Sequence, residues 1–308
     1  MGRVKTLVRQ MFEAPEAEVF LVATGTAANA LSIALLTPPW SAVFAHAEAH
    51  AAMDECGAPE FFSGGAKMIA VGGDHGKMTP ATLTAALSRV GEAGVHGVQK
   101  GMLSLTNVTE AGTVYTPSEI AALTALAKSV NIPSHLDGAR FANALVATGA
   151  TPAEMTWKAG IDVLSLGGTK NGCLGVEAVV LFDPSKAWEF ELRRKRAGHL
   201  FSKHRFLSAQ MEAYLTDGLW LRLAAQANAM GARLVRGLAT IPGASLLHPA
   251  PANMLFPLLA KGSNDSAMSK GAVYYAMPGP EGFDHGRLVA SWSTTAEDVD
   301  ALLGALRP

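Results

Sequence analysis

Ile161-Asp-Val-Leu-Ser-Leu-Gly-Gly-Thr-Lys-Asn-Gly172 carries an apolar run into a glycine turn that holds one lysine at its tip. Asp162 to Leu166 has the length of a buried strand, and such strands alternating with helices define an open α/β sheet. A lysine that ends a buried strand beside Gly167, Gly168 and Gly172 can be partly desolvated, which lowers its pKa and frees the amine for attack on a carbonyl. That is Schiff-base chemistry. The same residues also fit a solvated lysine in a surface turn, so the neighbouring segments have to decide.

Upstream, Asn131-Ile-Pro-Ser-His-Leu-Asp-Gly-Ala-Arg-Phe-Ala-Asn-Ala144 reads as a short strand that delivers Asp137 at its carboxyl end. Ligands of open α/β sheets sit at that edge. Alternation places His135 on the same face as Asp137, so the histidine is expected to hydrogen-bond the carboxylate and keep it ionised. A buried anion of this kind suits a protonated ring nitrogen. Asp137 also fits an ordinary N-cap of the next helix, although Arg140, a second charge in an apolar neighbourhood, calls for an anionic partner.

Ala17-Glu-Val-Phe-Leu-Val-Ala-Thr-Gly-Thr-Ala-Ala-Asn-Ala-Leu-Ser-Ile-Ala-Leu-Leu36 is a strand that breaks at Thr24-Gly25-Thr26 and restarts as a helix. Free amides at such a turn form an anion site: Gly25 lets the backbone approach a phosphate and Thr26 adds a hydroxyl. The turn is neither a Walker loop nor a G-x-G-x-x-G fingerprint, so a nucleotide has no specific support. A plain strand-to-helix turn fits as well.

A phosphate seat, a carboxylate for a ring nitrogen and a Schiff-base lysine, in that chain order, are the parts that hold pyridoxal 5′-phosphate. The ordered set Thr24–Asn29, Ala49–Glu60, Thr109–Pro117, His135–Ala144, Ser165–Gly172 and Arg193–Leu200 resembles the fold-type I pyridoxal-phosphate enzymes of the threonine aldolase and β-eliminating lyase family. The likeness is to low-specificity L-threonine aldolases and phenylserine aldolases. It implies an aminotransferase-like α/β fold with a mainly parallel seven-stranded sheet in a large domain, 1–215, and a small C-terminal α/β domain, 216–308.

By position, the resemblance implies that Lys170 forms the Schiff base, Asp137 pairs with the pyridinium nitrogen, Gly25 and Thr26 bind the phosphate, and His50 stacks on the ring. Without the resemblance, His50 reads as part of an ordinary helix entrance. Arg140 would serve cofactor and substrate, and Arg287 would join it on the substrate α-carboxylate, a task suited to a planar bidentate donor. Arg287 equally fits a strand-edge arginine.

The implied reaction is retro-aldol cleavage of β-hydroxy-α-amino acids to glycine and an aldehyde, with catalytic roles for Lys170, His50 and Asp137. The base for the β-hydroxyl is left among His50, His135 and a water. Relatives present a histidine near Thr109, so the β-substituent is expected to meet a different wall here, with Asn107 and Thr109 as candidates. Relatives also begin with an additional segment carrying an Asp-Asn-Thr-type loop, so either truncation or a differently built substrate end is expected. β-Elimination on the same scaffold, or a cofactor-binding but catalytically impaired homologue, are the alternatives.

Composition fits a globular enzyme: 308 residues, 49% hydrophobic, 17% charged, formal net charge −1. Near-neutral charge gives no electrostatic case for nucleic acid or a membrane surface, and no metal is expected. Cys56 and Cys173 are the two cysteines, so a reducing, cytoplasmic setting is expected and a disulfide is not. The partners expected are an amino-acid substrate and further copies of the chain, in a homodimer or homotetramer with shared active sites.

Along the chain, runs 66–71, 102–106, 162–166 and 177–182 read as strands and 117–130 as a helix. From Trp188 to Ala224 the pattern reads as long helix with basic interruptions. The tail from Thr240 reads as short strands, a Gly-Ser-Asn-Asp loop at 262–265 and a closing helix from Thr295. The basic run Arg193-Arg-Lys-Arg196 reads as a solvated helix face, or as cations that reach a phosphate or substrate across a dimer interface.

Overall fold

Seven apolar runs become strands in the computed structural model, which describes residues 1–307. They are β1 Glu18–Val22, β2 Ser41–His46, β3 Lys67–Val71, β4 Gln99–Thr106, β5 Ser134–Gly138, β6 Val163–Gly167 and β7 Glu177–Leu181. They form one sheet in the order β1-β7-β6-β5-β4-β2-β3. Pairing is parallel from β3 through β6, whereas β7 runs against both β6 and β1. The central strands are buried on both faces, which is why they read as continuous apolar runs rather than alternating ones.

Side chains of these strands feed two cores by alternation: Val19 and Leu21 join one cluster, Phe20 and Val22 the other. The helix Gly25–Leu36 follows β1 and is buried from Ala27 to Leu36. The helix Pro117–Ser129 starts at a reciprocal cap between Thr116 and Glu119.

Beyond Lys170, three helices replace the expected long one: Ala187–Arg196, Arg205–Leu215 and Leu219–Leu238. The breaks fall where the backbone turns left-handed, at Gly198 and at Asp217-Gly218, a conformation that a continuing helix cannot accommodate. Five short strands then build an antiparallel sheet: β8 Ser245–Leu246, β9 Met254–Leu255, β10 Pro257–Ala260, β11 Tyr275–Met277 and β12 Phe283–Val289. The expected loop at 262–265 is instead mostly the start of the helix Ser263–Ser269, with left-handed Gly262 at its entrance. The closing helix Ala296–Leu306 is capped by Thr295, as the sequence suggests. Its Val299, Leu303 and Leu306 share a separate core with Leu234, Leu238 and Leu288.

β1 runs in the same sense as the parallel strands, because both it and β6 oppose β7. The carboxyl ends of β1, β2, β4, β5 and β6 therefore lie along one edge of the sheet, and the segments that follow them carry the candidate polar groups.

Candidate active site

The segment after β1 turns at Thr24, whose hydroxyl accepts the Ala27 N–H and starts the helix Gly25–Leu36. Among the described residues, the Gly25 and Thr26 amides and the Thr26 hydroxyl have no hydrogen-bond partner. A Cβ placed on Gly25 would meet nothing within 4 Å, so open space adjoins those amides. Free donors, a helix N-terminus and room beside them are what a phosphate requires.

β5 delivers Asp137, which is 3% exposed. Its Oδ1 accepts the Ala139 N–H at 3.0 Å and its Oδ2 accepts from Asn29 Nδ2 at 2.8 Å. The same Asn29 nitrogen donates to Glu55 Oε1 at 2.9 Å, and that oxygen also meets His50 Nδ1 at 2.9 Å. A buried chain His50–Glu55–Asn29–Asp137 thus links the segment after β2 to the end of β5. The Glu55 hydrogen bond raises the pKa of His50 against the opposing effect of burial. Asn29 Oδ1 and Glu55 Oε2 are buried and unpartnered.

β6 delivers Lys170. Gly167 is forced by close approach, because a Cβ there would sit 2.3 Å from the Ala139 carbonyl oxygen, and this tight crossing brings the lysine turn against the end of β5. Lys170 opens onto the cleft, yet enough protein surrounds it that burial, followed by the neighbouring Arg140 charge, presses its pKa below the ordinary lysine value. The turn is held from β7: Glu177 Oε2 accepts the Gly168 N–H at 2.7 Å, and burial pushes the pKa of Glu177 up to about 7.

Arg140 is 8% exposed, and among the described residues no carboxylate lies within 4 Å of it. Burial lowers its pKa, and the charges that act on it are Glu110, Arg287 and Asp137. Arg287 comes from β12 in the second sheet, half-buried, with its guanidinium 6.0 Å from the Tyr275 ring. Two cations close enough to act on each other, neither in an ion pair among the described residues, form a receptor for a carboxylate or a phosphate. Lys170, Asp137, Arg140, Arg287, His50 and the Gly25-Thr26 amides are thus gathered at one edge of the sheet, and the set fits pyridoxal 5′-phosphate.

Three expectations need correction. His135 does not bond Asp137: its Nδ1 meets Ser104 Oγ at 3.0 Å and its Nε2 meets Ser165 Oγ at 2.9 Å. Residues two apart on a strand are separated by about 6.6 Å, whereas adjacent strands lie about 4.8 Å apart, so the neighbouring strands win. Fully buried, with its pKa depressed to about 4 by burial, His135 is closed off as a base for substrate. Asn107 and Thr109 keep their side-chain polar atoms within their own turn. Asn107 is bound at both amide atoms to the backbone of Tyr115, and Thr109 Oγ1 meets Thr113 Oγ1 at 2.7 Å, both buried inside the 107–115 turn. Arg194 departs from a solvated face: it is 5% exposed, pairs with Glu191 and bonds the Leu21 carbonyl, so only its neighbours Lys195 and Arg196 are exposed.

Sequence reasoning missed Asn29, Glu55, Glu110 and Glu177. The first three lie within the segments that carry the family likeness, but nothing local marks them as partners. Glu110 follows Thr109, is half-buried, and its charge acts on Asp137, Arg140, Lys170 and His50.

A family model described as beta-eliminating lyase matches residues 1–260. The low specificity L-threonine aldolase of Pseudomonas sp. (strain NCIMB 10558) is 42% identical over 300 residues, covering 97% of this chain and 85% of that protein. The protein of the same name from Pseudomonas aeruginosa is 41% identical over 307 residues, covering 99% of this chain and 87% of its own length. The Leishmania major threonine aldolase structure superimposes with a TM-score of 0.93 at 29% identity, covering 99% of this chain and 88% of that one. A lysine turn beside a buried aspartate, an open amide cradle and near full-length matches agree: the chain belongs to the beta-eliminating lyase family.

Proposed function

We propose that the protein is a pyridoxal 5′-phosphate-dependent aldolase that cleaves β-hydroxy-α-amino acids, such as L-threonine, L-allo-threonine or phenylserine, to glycine and an aldehyde. The observation that carries this reading is the meeting of Lys170, Asp137 and Arg140 at one sheet edge, in a chain 42% identical to a low specificity L-threonine aldolase. When bound, pyridoxal 5′-phosphate supplies the electron sink for the pair left by the breaking Cα–Cβ bond.

The chain's own residues do the rest. Lys170, its pKa depressed, holds a larger share of neutral amine for attachment of the cofactor and for exchange with the substrate amine. Asp137, fixed by Asn29 and the Ala139 N–H, holds a proton on the ring nitrogen. Gly25 and Thr26 bind the phosphate through their amides. His50, pinned by Glu55, covers the ring. Arg140 and Arg287 hold the substrate α-carboxylate and so orient the Cα–Cβ bond.

We also place the domain division at 216, with the helix Leu219–Leu238 shared. Its first turns join the core of the large sheet through Trp220 and Ala224, and its last turns join the small core through Leu234 and Leu238. A homo-oligomer, dimer or tetramer, with shared sites is supported by exposed Phe61, Trp188 and Leu192. A cytoplasmic setting is supported by two free cysteines, and no helix among the described residues is long and apolar enough to cross a membrane.

The test is product analysis with L-threonine. Equimolar glycine and acetaldehyde support the aldolase. Release of a 2-oxoacid and ammonia would support β-elimination instead, and cofactor binding without turnover would mark an impaired homologue.

A further inference from the structure

We propose that Glu110 is the catalytic base that takes the β-hydroxyl proton of the substrate, with the Glu55-bound His50 serving to position. The proposal rests on the aldolase reading above.

Retro-aldol cleavage needs a proton acceptor at the β-oxygen, and His135 does not supply one. His135 is sealed inside the sheet with both ring nitrogens bonded to serines. His50 is tied through Nδ1 to Glu55, and in the reading above its ring covers the cofactor rather than meeting the β-oxygen. Asn107 and Thr109, which flank the position in sequence, spend their polar atoms inside their own turn.

Glu110 is what that turn presents. The Asn107–Tyr115 and Thr109–Thr113 bonds fix the backbone on either side of it. Its carboxylate has no hydrogen bond or ion pair among the described residues, although it is half-buried amid charge. It lines a small cleft with His46, Glu48, Gly76 and Thr109. The ionisable groups that face it are Asp137 on β5, Arg140 after β5, Lys170 after β6 and His50 after β2. Burial and Asp137 raise the pKa of this carboxylate, which makes it a stronger base than a solvated one, and Arg140 and Lys170 oppose that rise. An unpaired carboxylate within electrostatic reach of Lys170 and Arg140 is placed for the remaining polar group of a β-hydroxy-α-amino acid.

The step balances without a further reactant. The β-hydroxyl proton moves to Glu110, the O–H electron pair becomes the second bond of the aldehyde carbonyl, and the Cα–Cβ pair stays on Cα. One proton is delivered to Cα to complete glycine, so the proton gained by Glu110 is matched over the cycle.

The experiment compares holoenzyme with Glu110→Gln and Glu110→Asp. For Glu110→Gln, kcat for L-threonine cleavage is expected to fall about a hundredfold or more with little change in KM. Exchange of the glycine α-proton, which involves no β-hydroxyl, is expected to continue at the parent rate. Glu110→Asp is expected to recover part of kcat, and the acid limb of the kcat profile is expected to vanish in Glu110→Gln. Independently of turnover, carboxyl NMR of cofactor-free protein should show, besides Glu177, a glutamate with a raised pKa whose signal disappears in Glu110→Gln. A rise in KM at unchanged kcat would mean that Glu110 merely balances Arg140, and an unchanged kcat or acid limb would likewise overturn the assignment. Loss of glycine exchange together with cleavage would make the role structural and overturn it too. A parent that exchanges glycine but cleaves no β-hydroxy amino acid would remove the aldolase reading and this proposal with it.

Discussion

Asn29 Nδ2 lies 2.8 Å from Asp137 Oδ2 and 2.9 Å from Glu55 Oε1, so one amide group couples the carboxylate at the end of β5 to the residue that holds His50. Asn29→Leu leaves two buried carboxylates facing an apolar side chain. The expected loss is about 2–4 kcal/mol of stability in the cofactor-free protein, from unsatisfied buried acceptors and charge repulsion. Denaturant unfolding at neutral pH checks it, and a loss of a few tenths of a kcal/mol would show that the coupling carries little.

Glu55 is the cause of the raised His50 pKa, and burial opposes it. Glu55→Gln should therefore lower the pKa of His50. Because the folded-state pKa is raised, the His50–Glu55 pair stabilises fully below the unfolded histidine value, and that contribution fades as pH rises through the folded one. Histidine NMR titration of parent and variant tests both direction and site.

Glu177 has the opposite sign. Its folded pKa is raised to about 7 by burial, so the protein loses stability as pH rises from the unfolded glutamate value toward 7 and stays penalised above it. Glu177→Gln keeps an acceptor for the Gly168 N–H without the charge. It should be more stable than the parent at pH 8, by on the order of 3 kcal/mol, and similar to it near pH 4. Melting temperatures across pH measure the difference, and equal pH profiles would contradict it.

Gly25 separates binding from folding. A Cβ there meets no protein atom within 4 Å. Gly25→Val should therefore fold with near-parent stability, while its side chain occupies the space beside the free amides. Affinity for pyridoxal 5′-phosphate, read by fluorescence quenching, is expected to drop at least tenfold. Unchanged affinity would move the phosphate seat elsewhere.

The fold was legible because most of the central strands are buried on both faces and announce themselves as short apolar runs. Lys170 and the Gly25-Thr26 turn could be found because each comes shortly after such a run, and Asp137 because it stands near the carboxyl end of a short strand. The partners of those residues were not legible. Asn29 is 108 residues from Asp137 and Ser104 is 31 from His135, and alternation gives the face of a residue but not its neighbour across the sheet. The breaks at Gly198 and Asp217-Gly218 were hidden because the flanking segments keep helical composition. Arg194 looked solvated because its neighbours are, while its own guanidinium turns inward to the Leu21 carbonyl.

The most direct test of the account is to incubate the purified protein with pyridoxal 5′-phosphate and L-threonine and quantify products alongside Lys170→Ala. The account predicts glycine and acetaldehyde in equal amounts from the parent and neither above background from the variant. Turnover that survives the loss of Lys170, or a parent that binds the cofactor and yields 2-oxobutyrate and ammonia instead, would contradict it.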